Sequence, residues 1–305
     1  MNPKPIVSII IVNWNTQKLL TDCLTTIAAA RDEISLETIV VDNASTDDSV
    51  SLVRQQFPWV HLIANDENVG FARGNNQGIK VSQGAYILLL NSDTELKSGA
   101  VVSLVTCLQA NPDAGAAGPL VRNSDGSIQN CYGDLPSVWL ELIGPYLWDN
   151  ISKPWGRWGP PLDKNKTLTV ERVSFACTLI SRTALDEVGL LDEQFGFYSE
   201  DYDWFYRLQA AGWQTLFCPQ AEIFHHWGAS SKMRNEWALK QLYKSKRIYF
   251  AKHYGSGTEL ILRLGLLTRF TAKAIINNFR HYLLRQSSIN ASLQWQLIRD
   301  MLKSP

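Results

Sequence analysis

The chain has 305 residues, 45% of them hydrophobic, and can therefore bury a full core as one large globular domain with an appendage. Its five cysteines are scattered without CxxC pairing, which argues against a zinc site and a disulfide framework and fits a reducing compartment. No stretch reaches the roughly 18 to 20 apolar residues that span a bilayer. The apolar run 6–12 is too short for a signal peptide and is typical of a buried strand.

The net charge of zero hides a strong asymmetry along the chain. Residues 1–231 carry 15 basic against 26 acidic side chains, a net of −11, and residues 232–305 carry 14 against 3, a net of +11. We therefore predict a globular domain over 1–231 and a basic helical extension over 232–305. A basic extension on an acidic body indicates a negatively charged partner, such as a membrane surface or nucleic acid.

The first 120 residues alternate strand and helix patterns. The predicted elements are, in chain order, a strand at 6–12, a helix at 18–30, a strand at 37–41, a helix at 45–57, a strand at 60–64, a helix at 70–83 and a strand at 85–90. This alternation predicts an α/β fold, with a mostly parallel sheet and helices on both faces. In such folds ligands bind at the carboxyl ends of the strands.

Residues 121–170 are rich in Trp, Pro and Gly, and they predict long loops with short helices over the active-site face. The tryptophans of this stretch are Trp139, Trp148, Trp155 and Trp158. A strand at 170–181 and a helix at 182–188 follow.

Asp42 ends the second predicted strand in the phrase VVDNAST. A carboxylate at the carboxyl end of a strand can accept a hydrogen bond from a base N–H or a ribose hydroxyl. The alternative is a helix N-cap or an Asx-turn, which aspartates at such positions often form.

The segment NDENVGFARGNNQG follows the third predicted strand. Gly70, Gly74 and Gly78 would let the backbone approach a ligand closely, and Arg73 could pair with phosphate. The alternative is a glycine-rich turn that caps a helix.

LLLNSDTEL places Asn91 and Asp93 just past a buried strand. Asp93 would reach a divalent cation that bridges a diphosphate, because Mg²⁺ and Mn²⁺ favour a few carboxylates with phosphate oxygens. His225 or His226, after a short strand at 221–224, could complete the metal shell. The alternatives are a polar turn and a structural histidine pair.

The segment FGFYSEDYDWFYRLQAAGW sets Glu200, Asp201 and Asp203 among aromatic residues at the start of a predicted helix. Acidic groups in apolar surroundings are costly to desolvate, so they usually have a partner or a task. Asp201 is the candidate general base, with Glu200 and Asp203 on the acceptor side. The alternative is a helix N-terminus whose carboxylates complement the dipole.

Together these motifs, with VSIIIVNWN at the first strand, resemble family 2 of the inverting glycosyltransferases over about residues 5–232. The resemblance is strongest to the bacterial rhamnosyltransferase-like branch, which builds cell-surface polysaccharides. It implies a GT-A fold, a nucleotide-diphosphate-sugar donor, a glycan or lipid-linked acceptor and a divalent metal, Mg²⁺ or Mn²⁺. It also implies that 1–231 is a catalytic domain, with a nucleotide-binding half over about 1–120 and an acceptor half over about 121–231.

The resemblance also implies roles for individual residues. It assigns the nucleobase to Trp14 and Asp42, the nucleotide to Arg73, the ribose to Asn91, the metal to Asp93, catalysis to Asp201, and metal or phosphate contact to His225 rather than His226. The chain departs from the family pattern twice. Asn91 stands where the DxD motif usually begins, and Phe175–Ala176 replaces a small Gly-Ala pair.

Residues 260–284 have helical periodicity. One side would carry Arg269, Lys273 and Arg280, and the far side would carry Leu264, Ile275, Phe279, Tyr282 and Leu283. Such a basic amphipathic helix can lie in a membrane interface, which would suit a lipid-linked acceptor. The alternative is packing on the catalytic domain or on a second subunit, and a homodimer is a further expectation. Nucleic acid is not expected as a partner, because the extension has no recognised binding motif.

The sequence thus predicts a cytoplasmic, metal-dependent inverting glycosyltransferase at the inner face of the plasma membrane. The branch favours rhamnose from dTDP-rhamnose as the donor. The alternatives are a UDP-hexose-dependent transferase, a nucleotidyltransferase and a non-catalytic nucleotide-sugar or glycan-binding module. A nucleotidyltransferase would need a basic, glycine-rich signature near the N-terminus, where this chain has NWNTQKLL.

Overall fold

The computed structural model of the chain describes residues 4–143, 165–226, 236–284 and 295–299. The helices are α1 Gln17–Ala30, α2 Ser49–Gln56, α3 Phe71–Val81, α4 Ala100–Ala110, α5 Val138–Ile143, α6 Arg182–Val188, α7 Glu200–Ala210, α8 Glu236–Tyr254 and α9 Ser256–Leu284. The strands are β1 Val7–Asn13, β2 Leu36–Asp42, β3 His61–Ala64, β4 Tyr86–Asn91, β5 Thr94–Leu96, β6 Ala114–Arg122, β7 Tyr132–Gly133, β8 Leu168–Val170, β9 Arg172–Val173, β10 Cys177–Ser181 and β11 Gln214–His225.

The described strands form one large sheet in the order β3-β2-β1-β4-β10-β6-β11-β5, with β8 on β11. The first four strands are parallel, and β6 is parallel to β11, whereas β10 is antiparallel to both of its neighbours. Ile9, Ile10 and Ile11 are fully buried, because a central strand covered on both faces has no solvent side. The predicted α/β fold with a mostly parallel sheet flanked by helices is confirmed.

Two predicted elements differ from the structure. The single strand expected at 170–181 is three short strands, because β8 pairs with β11, β9 pairs with β7, and β10 enters the centre of the sheet. The helix expected from residue 45 begins at Ser49. The residues just before the helix form other hydrogen bonds: Asp47 accepts from the backbone N–H groups of Gln17 and Ser49.

The chain divides into two compact units. The sheet-bearing unit comprises residues 1–135, 156–196 and 200–232, and the helical unit comprises 136–155, 197–199 and 233–305. The division of domains predicted at residue 231 stays a prediction. Trp139 lies on α5 and is exposed, whereas Trp148, Trp155 and Trp158 lie outside the described residues.

The long helix α9 has two apolar faces. Leu262, Leu266, Phe270 and Ala274 are buried, and the Phe270 ring meets Tyr243 of α8 edge-on at 5.0 Å. A second set is exposed and comprises Leu260, Ile261, Leu264 and Ile275, which we call the exposed stripe. Within the described part of the chain, no helix combines the length and hydropathy needed to cross a bilayer.

The predicted basic side of α9 is described at one residue. Arg269 donates through Nη1 to the backbone carbonyl of Glu141 at 3.2 Å. The side chains of Lys273 and Arg280 on this side, and of Phe279, Tyr282 and Leu283 on the other, lie outside the described residues.

Candidate functional site

The carboxyl ends of β1, β2 and β4 meet at one edge of the sheet. In the parallel register Asn13 is the partner of Asp42, and Val12 is the partner of Asn91. Trp14 follows β1 directly, and its side chain is 45% exposed. The three residues expected to contact the nucleobase or ribose, Trp14, Asp42 and Asn91, therefore lie at the same edge.

Asp42 is buried at this edge, and its carboxylate accepts from the backbone three residues further on. Its Oδ1 accepts from the backbone N–H of Ser45 at 2.8 Å, and its Oδ2 accepts from Ser45 Oγ and from Asn13 Nδ2, each at 2.8 Å. The carboxylate is thus held in one orientation by three donors. Contact between Asp42 and a nucleobase stays a prediction.

Gly74 and Gly78, two glycines of the segment NDENVGFARGNNQG, lie against β1. A Cβ at Gly78 would lie 2.5 Å from Ile10 Cγ2, and one at Gly74 would lie 3.1 Å from the Val12 methyl groups. These two glycines let α3 pack directly on β1.

Gly70 sets the start of α3, and Arg73 follows in the first turn. Gly70 has φ +86°, in the left-handed region that glycine tolerates, and its carbonyl accepts from Asn43 Nδ2 at 3.1 Å. This bond ties the start of α3 to the residue after Asp42. The Arg73 side chain is exposed, so its guanidinium is open to an anionic ligand.

Asp93 and His225 come together where the turn after β4 meets the end of β11. The antiparallel pairing of β5 with β11 sets His225 opposite Thr94, and Asp93 Oδ1 lies 3.2 Å from His225 Nε2. Both side chains are almost fully buried. The predicted metal pair is therefore formed by groups from two parts of the chain that are far apart in sequence.

Gln129 fixes the orientation of the His225 ring. Its Nε2 donates to Asn123 Oδ1 and to the His225 carbonyl, each at 2.7 Å, so its Oε1 accepts at 3.0 Å from Nδ1 of the imidazole. Nδ1 therefore donates to Gln129, and the ring is held with its Nε2 towards Asp93. An imidazole nitrogen and a carboxylate oxygen are both groups that bind divalent cations, so these residues fit a metal ion.

His226 has a separate set of partners. Its Nδ1 lies 2.7 Å from Ser124 Oγ, and its Nε2 lies 2.5 Å from Glu95 Oε1. Both ring nitrogens are thus engaged by protein groups. Of the two adjacent histidines, His225 is the one whose ring faces Asp93.

Glu200 and Asp201 are adjacent carboxyl groups in the first turn of α7. Burial, followed by the neighbouring Asp201 charge, raises the pKa of Glu200 to about 8, and Glu200 Oε2 is buried without a hydrogen-bond partner. Burial also raises the pKa of Asp201, against the lowering effect of the Arg172 guanidinium. Asp201 Oδ1 accepts from the backbone N–H of Tyr202 at 2.8 Å. A buried carboxyl with a raised pKa is suited to proton transfer.

Asp203 has a structural partner. Its carboxylate is fully buried and accepts from Arg207 Nε at 2.9 Å, one turn along α7. Arg207 also donates to the backbone carbonyls of Val188 and Leu190. The ion pair therefore anchors α7 to the segment after α6, and contact between Asp203 and an acceptor stays a prediction.

The model of the glycosyl transferase family 2 matches residues 8–189, which is more than half of the chain. The chain belongs to glycosyl transferase family 2. The predicted family is thereby confirmed, and so is the general activity, that of a transferase of sugars.

Two groups of curated family 2 relatives are informative. N-acetylglucosaminyl-diphospho-decaprenol L-rhamnosyltransferase from two Mycobacterium tuberculosis strains is 29% identical over 243 residues, which are 73% of this chain and 77% of that protein. The poly-beta-1,6-N-acetyl-D-glucosamine synthase of Staphylococcus aureus is 24% identical over 76% of this chain and 53% of its own length. The resemblance to the rhamnosyltransferase-like branch and to polysaccharide biosynthesis is thus supported.

Solved structures show the same fold. A mannosyltransferase from Pyrobaculum calidifontis, in complex with GDP-Man and Mn²⁺, superposes with a TM-score of 0.56 at 18% identity, covering 99% of this chain and 87% of that one. GalNAc-T7 with UDP, GalNAc and Mn²⁺ gives a TM-score of 0.58 at 14% identity, covering 82% of this chain and 51% of that one. The predicted GT-A fold is confirmed.

Two residues of the candidate site are not predicted by the sequence patterns. Gln129 lies 96 residues from His225, and no local pattern links them. Arg172 lies in a two-residue strand that sequence periodicity does not distinguish from β10. Both act on a predicted site residue from another part of the chain, so their roles follow from the tertiary fold.

Proposed function

We propose that this protein transfers rhamnose from dTDP-rhamnose to a glycan or lipid-linked acceptor, with inversion, in the synthesis of a cell-surface polysaccharide. The donor and the acceptor class are supported by the mycobacterial L-rhamnosyltransferases, which this chain resembles over 73% of its length. The observation that carries the chemistry is the half-buried Asp201 carboxyl at the start of α7, whose pKa is raised by burial, in a family 2 transferase.

Asp201 is the proposed catalytic base. The acceptor hydroxyl gives its proton to the Asp201 carboxylate as its oxygen forms a bond to the anomeric carbon. The bond from that carbon to the diphosphate oxygen breaks, and the electron pair leaves with the nucleoside diphosphate. A single displacement of this kind inverts the anomeric configuration. Because the Tyr202 N–H holds Oδ1, Oδ2 is the oxygen available to the acceptor.

Asp93 and His225 would hold a divalent cation, Mg²⁺ or Mn²⁺. Among the described residues no group of three or more His, Cys, Asp and Glu side chains is arranged as a metal site. We therefore expect the diphosphate oxygens of the donor to supply further ligands. When bound, the cation supplies positive charge beside the departing diphosphate. Trp14, Asp42, Asn91 and Arg73 would bind the nucleotide, and Glu200 would line the acceptor side.

The protein is further proposed to contact a membrane through residues 260–284, at the inner face of the plasma membrane. The exposed stripe on α9 supports this proposal, because four large apolar side chains on one helix face solvent. Peripheral contact would bring the enzyme to a lipid-linked acceptor.

The first experiment incubates the purified protein with dTDP-rhamnose, UDP-glucose, UDP-GlcNAc and GDP-mannose separately, with Mg²⁺, Mn²⁺ or EDTA, and measures release of nucleoside diphosphate. A decaprenyl-diphosphate-linked GlcNAc is included as acceptor. We expect metal-dependent release from dTDP-rhamnose. Release from a UDP-hexose instead would identify a hexosyltransferase, and binding without release from any donor would indicate a non-catalytic module.

Asp201→Asn is the decisive variant. It should lower transfer by at least about a hundredfold, because general-base catalysis typically contributes that much, and leave donor binding nearly unchanged. Asp186→Asn, at an exposed position on α6, makes the same chemical change away from the site. Full activity of Asp201→Asn would reject the assignment of the base.

A further inference from the structure

A small two-stranded ribbon places an arginine beside the proposed base. In the ribbon Tyr132 of β7 pairs with Val173 of β9, and Gly133 pairs with Arg172. The ribbon is fixed to the main sheet, because a Cβ at Gly118 of β6 would lie 2.6 Å from Val173 Cβ. Arg172 is thus carried by a backbone that packs closely on the core.

Two contacts hold the guanidinium of Arg172 in place. Its Nε donates to the backbone carbonyl of Asp134 at 3.0 Å, and its Cζ lies 4.9 Å from the centroid of the Tyr202 ring. Tyr202 is the residue after Asp201, so the stacked guanidinium lies next to the first turn of α7.

Arg172 acts on Asp201 without forming an ion pair with it. Among the described residues, no Asp201 oxygen lies within 4.0 Å of an Arg172 nitrogen. A bidentate ion pair between the Arg172 guanidinium and the Asp201 carboxylate would occupy the lone pairs that a general base needs. A cation that acts on the carboxylate without a direct contact stabilises it and leaves Oδ2 open.

The electrostatic surroundings of Asp201 and Glu200 differ. Among the described residues, the charged groups that interact electrostatically with Asp201 are Glu200 on its own helix and Arg172 on β9. Burial raises the pKa of both carboxyls, but the Arg172 guanidinium opposes the rise at Asp201, whereas the Asp201 charge adds to the rise at Glu200. When the surroundings push the pKa values of two adjacent carboxyl groups apart, the two groups are suited to different roles in proton transfer.

We propose that Arg172 is a positioning residue: held between the Asp134 carbonyl and the Tyr202 ring, it selects Asp201 rather than Glu200 as the carboxylate that takes the acceptor proton. This inference rests on the proposed function, because it concerns the base of the transfer. Arg172 touches no reacting atom in this role. It acts through Asp201.

The test is the pH dependence of kcat/KM, whose acid limb reports the base in the free enzyme. Arg172→Gln and Arg172→Met remove the charge, and the latter keeps an apolar stem over Tyr202. Loss of a nearby positive charge raises the pKa of a carboxyl, so the acid limb should move up by about one pH unit in both variants. Arg172→Lys, which keeps the charge, should stay close to the wild type.

Arg182→Gln is the matched control. Arg182 also donates to backbone carbonyls, those of Ser82 and Gly84. Its substitution therefore removes the same kind of arginine–backbone hydrogen bonds, but at a position away from the proposed base. Its acid limb should not move. An unmoved acid limb in both neutral Arg172 variants would overturn the inference, as would an equal shift in Arg182→Gln.

A second measurement separates this inference from the proposed function. The Asp201 carboxyl is titrated by ¹³C NMR in the free protein, with the signal assigned by its absence in Asp201→Asn. Its midpoint should rise by about one pH unit in Arg172→Met. If no donor supports transfer, the proposed function fails and this titration still decides the inference. If transfer occurs and the midpoint is unchanged, the inference alone fails.

Discussion

At the scale of single residues, chemically identical neighbours in this protein have different surroundings. His225 lies between Asp93 and Gln129, whereas His226 lies between Glu95 and Ser124. Asp201 lies near a cation without an ion pair, whereas Asp203 is paired with Arg207. Residue type alone therefore does not define a role at this site. The partners that surround each side chain do.

The histidine pair gives a direct test of the metal site. His225→Ala should weaken Mn²⁺ binding, measured by electron paramagnetic resonance of the free ion, by more than about tenfold, because loss of even an outer-shell partner costs 10- to 100-fold. His226→Ala is the matched control and should bind Mn²⁺ nearly as the wild type does. Equal weakening by both variants would contradict the assignment.

The raised pKa of Glu200 makes the free energy of unfolding depend on pH. Its pKa in the folded protein, about 8, is above the ordinary value of 4.5, so burial of this carboxyl favours the protonated form. The contribution to stability is therefore fully present below about pH 4.5 and is lost as the pH rises through about 8. Glu200→Gln cannot ionise and escapes this loss.

We expect the free energy of unfolding of Glu200→Gln, relative to the wild type, to increase between pH 5 and pH 8 and then to level off. The increase is at most about 1.4 kcal/mol per pH unit. Urea unfolding at a series of pH values measures it. Parallel stability curves for the two proteins would show that Glu200 ionises normally in the fold.

At the scale of elements, the contact between α3 and β1 sets the sheet edge where the nucleotide is proposed to bind. Gly78→Ala should destabilise the protein by about 1–3 kcal/mol, because the added methyl group would overlap Ile10 in a packed core. Thermal and urea unfolding measure the change. Gly257→Ala in α9 is the control, since its Cβ meets no atom within 4 Å, and its effect should stay below about 1 kcal/mol.

The elements with strong local signals were predictable from sequence. The helix at 182–188 was predicted with its observed bounds, because Ser181 caps its start by accepting from the Ala184 N–H and Gly189 follows its end. The segment 170–181 was misread as one strand, because its breaks depend on which strands pair with each piece. Strand pairing is a tertiary property that local periodicity does not contain.

Some residues of the candidate site could likewise be predicted from local sequence patterns, whereas others depend on the tertiary fold. Asp42, Asn91 and Asp93 could be located because each follows an apolar strand, and parallel strands end at one sheet edge. The orientation of His225 by Gln129 and the effect of Arg172 on Asp201 depend on residues that are distant in sequence, so local patterns do not predict them.

At the scale of the whole molecule, the basic region 232–305 and the exposed stripe belong to the same stretch of chain. Anionic vesicles of equal parts phosphatidylglycerol and phosphatidylcholine should therefore bind the protein, and binding should weaken as salt screens the charges. Leu264→Glu with Ile275→Glu should reduce cosedimentation by more than about tenfold, because two apolar side chains would no longer enter the interface.

Ala251→Glu is the control for charge, since it adds a carboxylate at an exposed position of α8 outside the stripe. It should bind vesicles nearly as well as the wild type. If the stripe variant binds equally well, residues 260–284 do not provide the membrane contact.

The distribution of cysteines has a practical consequence. All five thiols are buried, and all five belong to the sheet-bearing unit, whereas the helical unit has none. A thiol reagent can react only when the surrounding structure opens, so the rate of labelling measures the opening of the sheet-bearing unit alone. Compared with the loss of helical circular dichroism in the same solution, labelling would show whether the two units unfold together or in sequence.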